Sequence, residues 1–580
     1  MPDAGRAGAA IRASARARAR WTAGLLTALV LAPVLAGLLG VLLPALGYLP
    51  ALGARDIGLD VFRRLLAEPG FWRSVGVSAL SGFGATALSV LLTASILAAA
   101  YGTGALRAAE RLLAPILSVP HAAAALGFVF LFAPSGFLAR LVSPWPSGWD
   151  APPDLVILND PLGLSLLAAL VVKETPFLFL MALAALPQVR AGERMAVARS
   201  LGYGPMTGFV HAVWPLVYRQ LRLPILAVLA FAVSVVDMAL ILGPTRPPTL
   251  AVRIVGWLRA PDLDGWLMGS AGAALMVGLV VALVGLWLVL ERLVGAGLAS
   301  ARTSGWRGQS DAPLRLALPT LAAVGVGTVF CGFAGLVLQS FAGYWPFPDL
   351  WPGTLGLGGW RERLHMAAGV LEGTLAIALG AMALALPIAV ALLEAERRGA
   401  RIPVLVYAPL VVPQIAFLFG LDVLAIAAGV TPGRLAVTLA HGLFVLPYAL
   451  IALSGPWRAL DPRFEQVAAS LGAGPVRRFV AVRLPLLARP LAVAAALAVA
   501  VSVGLYLPTQ MIGSGRVATV TTEAVAAASA GDRRLIGMFA TLQLLIPLVA
   551  FSLARGGPML ARRLRFGGAH GPGPAAEAAA

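Results

Sequence analysis

Long runs of apolar residues alternate with short polar segments along most of this 580-residue chain. Twelve runs approach or exceed the roughly 20 residues that a helix needs to cross a bilayer. Because lipid offers no partner for exposed backbone groups, such spans are predicted to be helical. They lie at 22–46, 74–99, 112–134, 163–187, 223–243, 266–290, 315–339, 366–393, 402–427, 433–455, 489–512 and 534–554. The pattern predicts an all-α, polytopic membrane protein.

One polar segment occurs twice between these runs. Residues 461–491 form a predicted amphipathic helix, a glycine break, a short helix beginning at Pro475, and a Leu-Pro pair. Residues 191–221 align with this segment without a gap, 270 positions earlier. A repeat of this size indicates a duplicated unit. Shared positions include Ala198 and Ala468, Ser200 and Ser470, Leu201 and Leu471, Gly202 and Gly472, Gly204 and Gly474, and Pro215 and Pro485.

Both segments resemble the EAA loop of the permease subunits of ABC importers. That loop has Glu-Ala-Ala, three further residues, a glycine and, later, Leu-Pro. In this chain, residues 466–468 and 196–198 occupy the position of Glu-Ala-Ala. Neither triplet begins with glutamate, although Glu465 directly precedes the triplet 466–468. The resemblance covers the whole chain as two fused permease halves, closest to the iron(III), thiamine and polyamine type.

The resemblance implies two cytoplasmic ATPase subunits docked on the loops and an external solute-binding protein that delivers substrate. It implies a bacterial inner-membrane location, with no catalytic, cofactor-binding or metal-binding residue in the chain. The residues it assigns to ATPase coupling are Ala198, Arg199, Ser200, Leu201, Gly202, Gly204 and Pro215 in the first loop, and Glu465, Gln466, Ala468, Ser470, Leu471, Gly472, Gly474 and Pro485 in the second.

The amino-acid composition restricts the class of protein to which the chain can belong. The chain is 59% hydrophobic and 12% charged, which excludes a soluble domain. The net charge is +18, and the basic residues are distributed over the predicted loops. This distribution indicates membrane topology and no nucleic-acid partner. The single cysteine, Cys331, excludes an internal disulfide.

Charge also predicts the orientation. Five arginines precede the first apolar run, which is longer than the core of a signal peptide and therefore predicts an uncleaved span. With the N-terminus in the cytoplasm, roughly two thirds of the 44 basic residues fall on cytoplasmic segments. Both repeated loops and both termini are then cytoplasmic, and the two halves are parallel repeats. The predicted units are an N-terminal tail at 1–21, a first permease half at 22–290, a cytoplasmic linker at 291–313, a second half at 314–556, and a cytoplasmic, disordered tail at 557–580.

The chain lacks the motif of an ATPase. Its only lysine, Lys173, is preceded by valine and followed by Glu174, so no phosphate-binding P-loop is present. If ATP drives transport, a separate subunit must hydrolyse it. Each loop offers a short helix for a groove on such a partner, whereas the alternative is an ordinary amphipathic helix at the membrane surface.

An ionisable residue inside a membrane span costs free energy, so each one is first considered a candidate functional residue. The candidates for a translocation path are Lys173, Glu174, Asp237, Glu372, Asp422 and His441. The alternative is that they satisfy neighbouring helices, above all for the adjacent Lys173 and Glu174. Asp237 is the sharpest candidate, and its counterpart in the second half is Leu507 or Leu505, depending on the alignment. His121 and Gln414 follow two Val-Pro pairs, which predict a kinked or broken helix start in each half.

The sequence therefore predicts the fused transmembrane subunit of an ABC importer for a small solute. The main alternative is a secondary transporter with two six-helix halves, driven by an ion gradient. A membrane enzyme is a third class, but no recognisable set of catalytic residues supports it.

Overall fold

The computed structural model describes residues 2–566, apart from 118, 261, 309 and 432. Within that part of the chain the regular structure is helical, with isolated β-bridges only. The last helix reaches Phe566, so it includes the start of the predicted tail, whereas 567–580 lie outside the described residues.

The helices divide between the two predicted halves. Those of the first half are α1 Pro2–Ala45, α2 Asp60–Ala67, α3 Phe71–Ala100, α4 Gly104–Leu117, α5 His121–Phe132, α6 Phe137–Leu141, α7 Leu164–Ala185, α8 Ala191–Ser200, α9 Pro205–Gly208, α10 Trp214–Ser234, α11 Asp237–Leu242, α12 Leu250–Leu258 and α13 Leu263–Thr303. Those of the second are α14 Ala312–Phe341, α15 Gly358–Glu362, α16 Leu364–Arg397, α17 Ala408–Val411, α18 Gln414–Ala427, α19 Arg434–Ala459, α20 Arg463–Ser470, α21 Pro475–Arg478, α22 Leu484–Leu486, α23 Ala488–Gly504, α24 Leu507–Ile512, α25 Val520–Ala530 and α26 Arg533–Phe566.

Ten helical segments in the described residues are long and apolar enough to cross a membrane. Two bent pairs also qualify: Val404–Val411 with Gln414–Ala427, bent by 90°, and Pro475–Leu486 with Ala488–Gly504, bent by 73°. Counting each pair as one span gives twelve, and every predicted run overlaps one of them. The predicted fold class, an all-α polytopic membrane protein, is confirmed.

Several spans are broken, and the breaks recur in the two halves. The predicted helix starts after the two Val-Pro pairs are confirmed, because α5 begins at His121 and α18 at Gln414. A second break separates α10 from α11, and the same break separates α23 from α24. Since α11 begins at Asp237 and α24 at Leu507, the offset of 270 persists here. Leu507 is therefore the counterpart of Asp237.

The first span of each half packs against the other half. Helix α1 contacts α18, and α14 contacts α5. Both crossings depend on glycines, because a Cβ at Gly420 would overlap the backbone of Gly37 and a Cβ at Gly332 would press on the backbone of Gly127. Small residues of this kind let membrane helices approach closely. The two halves are consequently interlocked by exchanged spans.

An even number of spans separates the two repeated segments, so both lie at one end of the bundle, called here the loop end. Helix α13 extends past the bilayer-length core to Thr303 and brings the linker to the same end. The Tyr218 hydroxyl on α10 accepts a hydrogen bond from Trp287 Nε1 at 2.9 Å, and Arg222 pairs with Glu291 at 3.2 Å. These contacts hold α13 beside the first loop.

Candidate functional site

The two repeated segments fold in the same way. In each, a helix (α8 or α20) ends at a glycine in the left-handed region, with φ of 80° at Gly202 and 81° at Gly472. A one-turn helix then starts at a proline, continues into a π-helical turn, Phe209–Val213 or Phe479–Arg483, and re-enters the membrane. Glycine takes positive φ without the steric cost that a Cβ imposes, so it ends the first helix in both loops. We call these segments loop 1 (residues 191–215) and loop 2 (residues 461–485).

Both loops present apolar side chains to solvent. Val197 and its counterpart Val467 are exposed by 60% and 59%, and Leu201 and Leu471 by 60% and 82%. Among the other predicted coupling residues, Arg199, Ser200, Gln466 and Ser470 are exposed, Ala468 and Pro215 are partly buried, and Ala198 is buried. Paired apolar side chains exposed on a polar loop are typical of a surface that another protein covers.

Loop 2 is fixed by a cluster of charges around two buried side chains, Glu465 and Arg483. Glu465 accepts hydrogen bonds from Arg397 Nη1 on α16 at 2.6 Å and from Arg483 Nε and Nη2 at 2.6 Å each. Arg483 also pairs with Glu394. The position that matches the family's glutamate, Gln466, is exposed instead. The glutamate one residue out of register therefore makes the ion pairs.

The environment of Glu465 favours its charged form. Burial on its own raises the pKa of this carboxyl, but the hydrogen bonds and charges of Arg397 and Arg483 outweigh burial and lower its pKa below the usual value. Arg483 is only 4% exposed, so its charge depends on these carboxylates for compensation.

Loop 1 replaces this cluster with apolar packing. The counterparts of Glu465 and Arg483 are Met195 and Val213, both buried. Phe209 in the π-helical turn packs against Tyr101 at the end of α3, with ring centroids 5.3 Å apart. The role of Arg483 could have been found from the sequence. At the two matching positions of the repeat, loop 2 has the charged residues Glu465 and Arg483 where loop 1 has two apolar residues.

Lys173 and Glu174 flank the break between α4 and α5. Lys173 Nζ donates to the carbonyl of Ile116 at 3.2 Å, in the last turn of α4, where a cation is favoured. The Glu174 carboxylate lies 3.1 Å from His121 Nε2, at the first residue of α5. Both side chains are buried, so this pair satisfies the two ends of a broken span.

Asp237 lies near the same place, at the first residue of α11, and is 7% exposed. Helix α11 packs against α5 and against α25 of the second half. The His121 ring packs 4.6 Å from the Phe231 ring. A Cβ at Gly504, where α23 ends, would touch Pro120, just before α5, so helix breaks of the two halves lie next to each other.

The other three intramembrane candidates lie elsewhere. Glu372 is exposed and pairs with Arg434 at 3.1 Å, at the end opposite the loops. Asp422 is buried on α18. His441 is 1% exposed, and its Nδ1 and Nε2 contact the hydroxyls of Ser502 at 2.8 Å and Thr509 at 2.9 Å. His441 therefore joins α19 to both sides of the break between α23 and α24.

Sequence reasoning missed Arg140, which joins the halves at the end opposite the loops. Its Nη1 donates to the carbonyls of Pro346 at 2.7 Å and Asp349 at 2.6 Å, and its guanidinium stacks on Trp345 at 5.1 Å. A single arginine in a segment rich in Pro and Trp gave no local signal of this contact.

Comparison with known proteins identifies the class. No family model matches the chain. The inner membrane ABC transporter permease protein YnjC of Escherichia coli (strain K12) is 30% identical over 443 residues, covering 76% of this chain and 78% of YnjC. The thiamine transport system permease protein ThiP of the same organism is 27% identical over 412 residues, covering 68% and 71%.

The duplicated loops, the paired helix breaks and these relatives define a membrane permease built from two fused halves. The chain belongs to the family of ABC transporter permeases, as a multi-pass inner-membrane protein and the permease subunit of an importer. The gradient-driven alternative is not favoured.

Proposed function

We propose that loops 1 and 2 each dock one ATPase subunit, and that ATP is hydrolysed on those subunits and not on this chain. The observation that carries this proposal is the repeated loop fold, with the same pair of apolar side chains exposed 270 residues apart at one end of the bundle. A short exposed helix with such anchors fits a groove on a partner. The chain itself has no P-loop.

The proposal includes orientation. The loop end faces the cytoplasm, together with both termini, because the basic residues are concentrated on that side. The opposite end then receives an external solute-binding protein. That end exposes large side chains, with Trp145 exposed by 85% and Tyr344 by 80%, and Arg140 holds its segments together. Aromatic side chains of this kind are typical anchors of protein interfaces.

The translocation path passes through the helix breaks where the two halves lie next to each other. Broken helices at the midplane, contributed by both halves of a transporter, are typical of substrate paths. Here the first half contributes His121, Glu174 and Asp237, and the second half contributes Tyr506, which is buried at the break between α23 and α24. Thiamine is the solute in the name of ThiP, so uptake of labelled thiamine is the first transport assay to perform.

The docking proposal is tested by co-purification with the ATPase subunit. Leu201→Asp and Leu471→Asp should each lower the amount of ATPase retained, and together they should abolish retention, because a carboxylate cannot enter an apolar groove without a partner. Val156→Asp is the matched control, since Val156 is a 70% exposed apolar residue at the opposite end. Full retention by the double variant would refute docking on the loops.

A further inference from the structure

The segment that connects the two halves is packed on loop 1. Helix α13 ends at Thr303, and α14 starts at Ala312. Between them, Trp306 to Gly308 and Asp311 run along the short helix α9. Gln309 lies outside the described residues. We call residues 304–308, 310 and 311 the brace.

Two backbone groups of loop 1 are satisfied by the brace. The N–H of Gly204 donates to the carbonyl of Arg307 at 2.9 Å. The N–H of Met206 donates to Asp311 Oδ2 at 2.8 Å. These groups lie at the start of α9, where a helix has no internal partners for its first N–H groups. Asp311 makes no side-chain cap bond to its own helix α14, so its bond to Met206 serves loop 1.

Side chains and close packing add to these bonds. Arg307 Nη1 donates to the Tyr203 hydroxyl at 2.9 Å, and the guanidinium stacks on the Tyr203 ring with its carbon 4.4 Å from the centroid. A Cβ at Gly204 would overlap the carbonyl oxygen of Gly308. The backbones of the loop and the brace therefore approach as closely as glycine alone permits.

Loop 2 has the same order of short helices, and within the described residues no segment packs on its Gly474 as the brace packs on Gly204. The counterpart of Tyr203 is Ala473, and that of Met206 is Val476, which is 76% exposed. A Cβ at Gly474, the counterpart of Gly204, would meet no atom within 4 Å. The backbone angles of the two glycines are nearly equal, with φ of −60° and −67°. At this glycine the two loops therefore differ in the packing of the brace and not in φ.

We propose that the brace is a structural part of the first ATPase-docking surface, so that the two ATPase subunits bind non-equivalent surfaces. Loop 1 with Trp306, which is 64% exposed, forms a composite surface, whereas loop 2 alone forms the second. Arg307 and Asp311 are positioning residues, because they fix α9 and do not themselves carry the docking contact. This inference rests on the docking of ATPase subunits proposed above.

The first test needs no ATPase. Amide hydrogen exchange is measured on the full-length permease in lipid nanodiscs, for peptides covering 203–208 and 473–478. Gly204→Ala should accelerate exchange in 203–208 several-fold, because the new methyl group displaces the brace. Gly474→Ala is the matched control and should leave exchange in 473–478 unchanged. Unchanged exchange in Gly204→Ala, or equal acceleration in both variants, would overturn the inference.

A second variant tests the same contact independently, in case Gly204→Ala misfolds. Asp311→Ala removes one side-chain acceptor without adding volume, and it should accelerate exchange at Met206 by roughly fivefold, the effect expected for loss of one helix cap. Arg292→Ala, which removes an exposed charge from α13 upstream of the brace, should have no effect on the same peptide. No acceleration in Asp311→Ala would also count against the brace.

The final test uses the complex. In a chain with Cys331→Ser, a cysteine-linked photocrosslinker is placed at position 201 or at its counterpart 471, and the yield of crosslink to the ATPase is measured. Asp311→Ala should lower the yield from position 201 and leave that from 471 unchanged. Equal losses at both positions would overturn the inference. Absence of any crosslink in the parent chain would instead refute docking itself, and the inference with it, whereas the exchange data would still report the brace.

Discussion

At the scale of single residues, Glu465 connects three elements of the loop end. It accepts hydrogen bonds from Arg397 at the end of α16 and from Arg483 in the π-helical turn, while it is itself part of α20. Glu465 and Arg483 are buried whereas Arg397 is exposed, so the two buried charges depend on each other for compensation. Loop 2 is therefore sensitive to single charge changes.

We predict that Glu465→Gln weakens loop 2. The amide keeps the shape of the side chain but leaves Arg483 with Glu394 as its remaining carboxylate. Loss of charged hydrogen bonds of this kind costs about 2 kcal/mol. The readout is the thermal unfolding of the permease, together with ATPase crosslinking at position 471. Glu193→Gln is the control, because Glu193 is an exposed residue 3.8 Å from Arg190 and such pairs contribute about 0–1 kcal/mol.

Acid should have the same effect as the substitution. The folded state lowers the pKa of Glu465 below 4.5, so its contribution to stability is present above pH 4.5 and is lost as the pH falls through the lowered value. The difference in unfolding temperature between the parent chain and Glu465→Gln should then be constant from neutral pH to about pH 5 and shrink below pH 4.5. A difference that grows in acid would contradict this assignment.

Asp237 is the other residue with a specific prediction. Asp237→Asn should impair transport while the permease still assembles with its ATPase, because the substitution keeps the size of a buried side chain at a helix break and removes an ionisable carboxyl. Transport in reconstituted vesicles and ATPase co-purification are measured on the same sample. Normal transport would assign Asp237 to interhelical structure.

At the scale of elements, the loops are helix pairs joined by four residues, of which Gly202 or Gly472 takes positive φ. Loop 1 is supported by Met195, Val213 and the brace, and loop 2 by the charge cluster. The same helix geometry is thus held by two different kinds of interaction. Rigid support is what a coupling element needs if movement of an ATPase is to reach the spans as a rigid-body shift.

The joining glycine supplies a test of coupling. Gly472→Val places a β-branched residue at φ of 81°, which costs roughly 1–2 kcal/mol and changes the angle between the two helices. It should weaken ATPase association or uncouple hydrolysis from transport while leaving membrane insertion intact. Gly202→Val should act similarly, since its φ is 80° and no atom lies within 4 Å of a Cβ there. Coupled transport by both variants would remove the loops from the transmission path.

At the scale of the whole molecule, the exchanged first spans make one bundle of the two halves. Helix α1 lies against α18 and α14 against α5, through matching glycine contacts. Movement of one half must then carry the first span of the other. The linker between the halves consequently has a role in supporting loop 1 beyond covalent connection.

Topology is tested on the same scale. Single cysteines at Arg199 and Arg477 should be labelled only from the cytoplasmic side, and those at Asp150 and Asp349 only from outside. All four positions are exposed, so a failure to react cannot be assigned to burial. An impermeant maleimide applied to intact and to permeabilised cells distinguishes the sides. External labelling of either loop position would contradict the twelve-span arrangement.

The sequence by itself determined the spans, the duplicated loops and the helix breaks after the two Val-Pro pairs, whereas the breaks before Asp237 and Leu507 came from the structure. The features that the sequence determined follow from local chemistry: apolar length sets a span, proline interrupts a helix, and glycine ends one at positive φ. The structure alone decided which charges meet. Glu465 pairs with Arg397 and Arg483, Lys173 caps α4, and Asp311 reaches back to Met206. These contacts join residues far apart in the chain, so they depend on how helices are packed, and no local pattern of residue types encodes that arrangement.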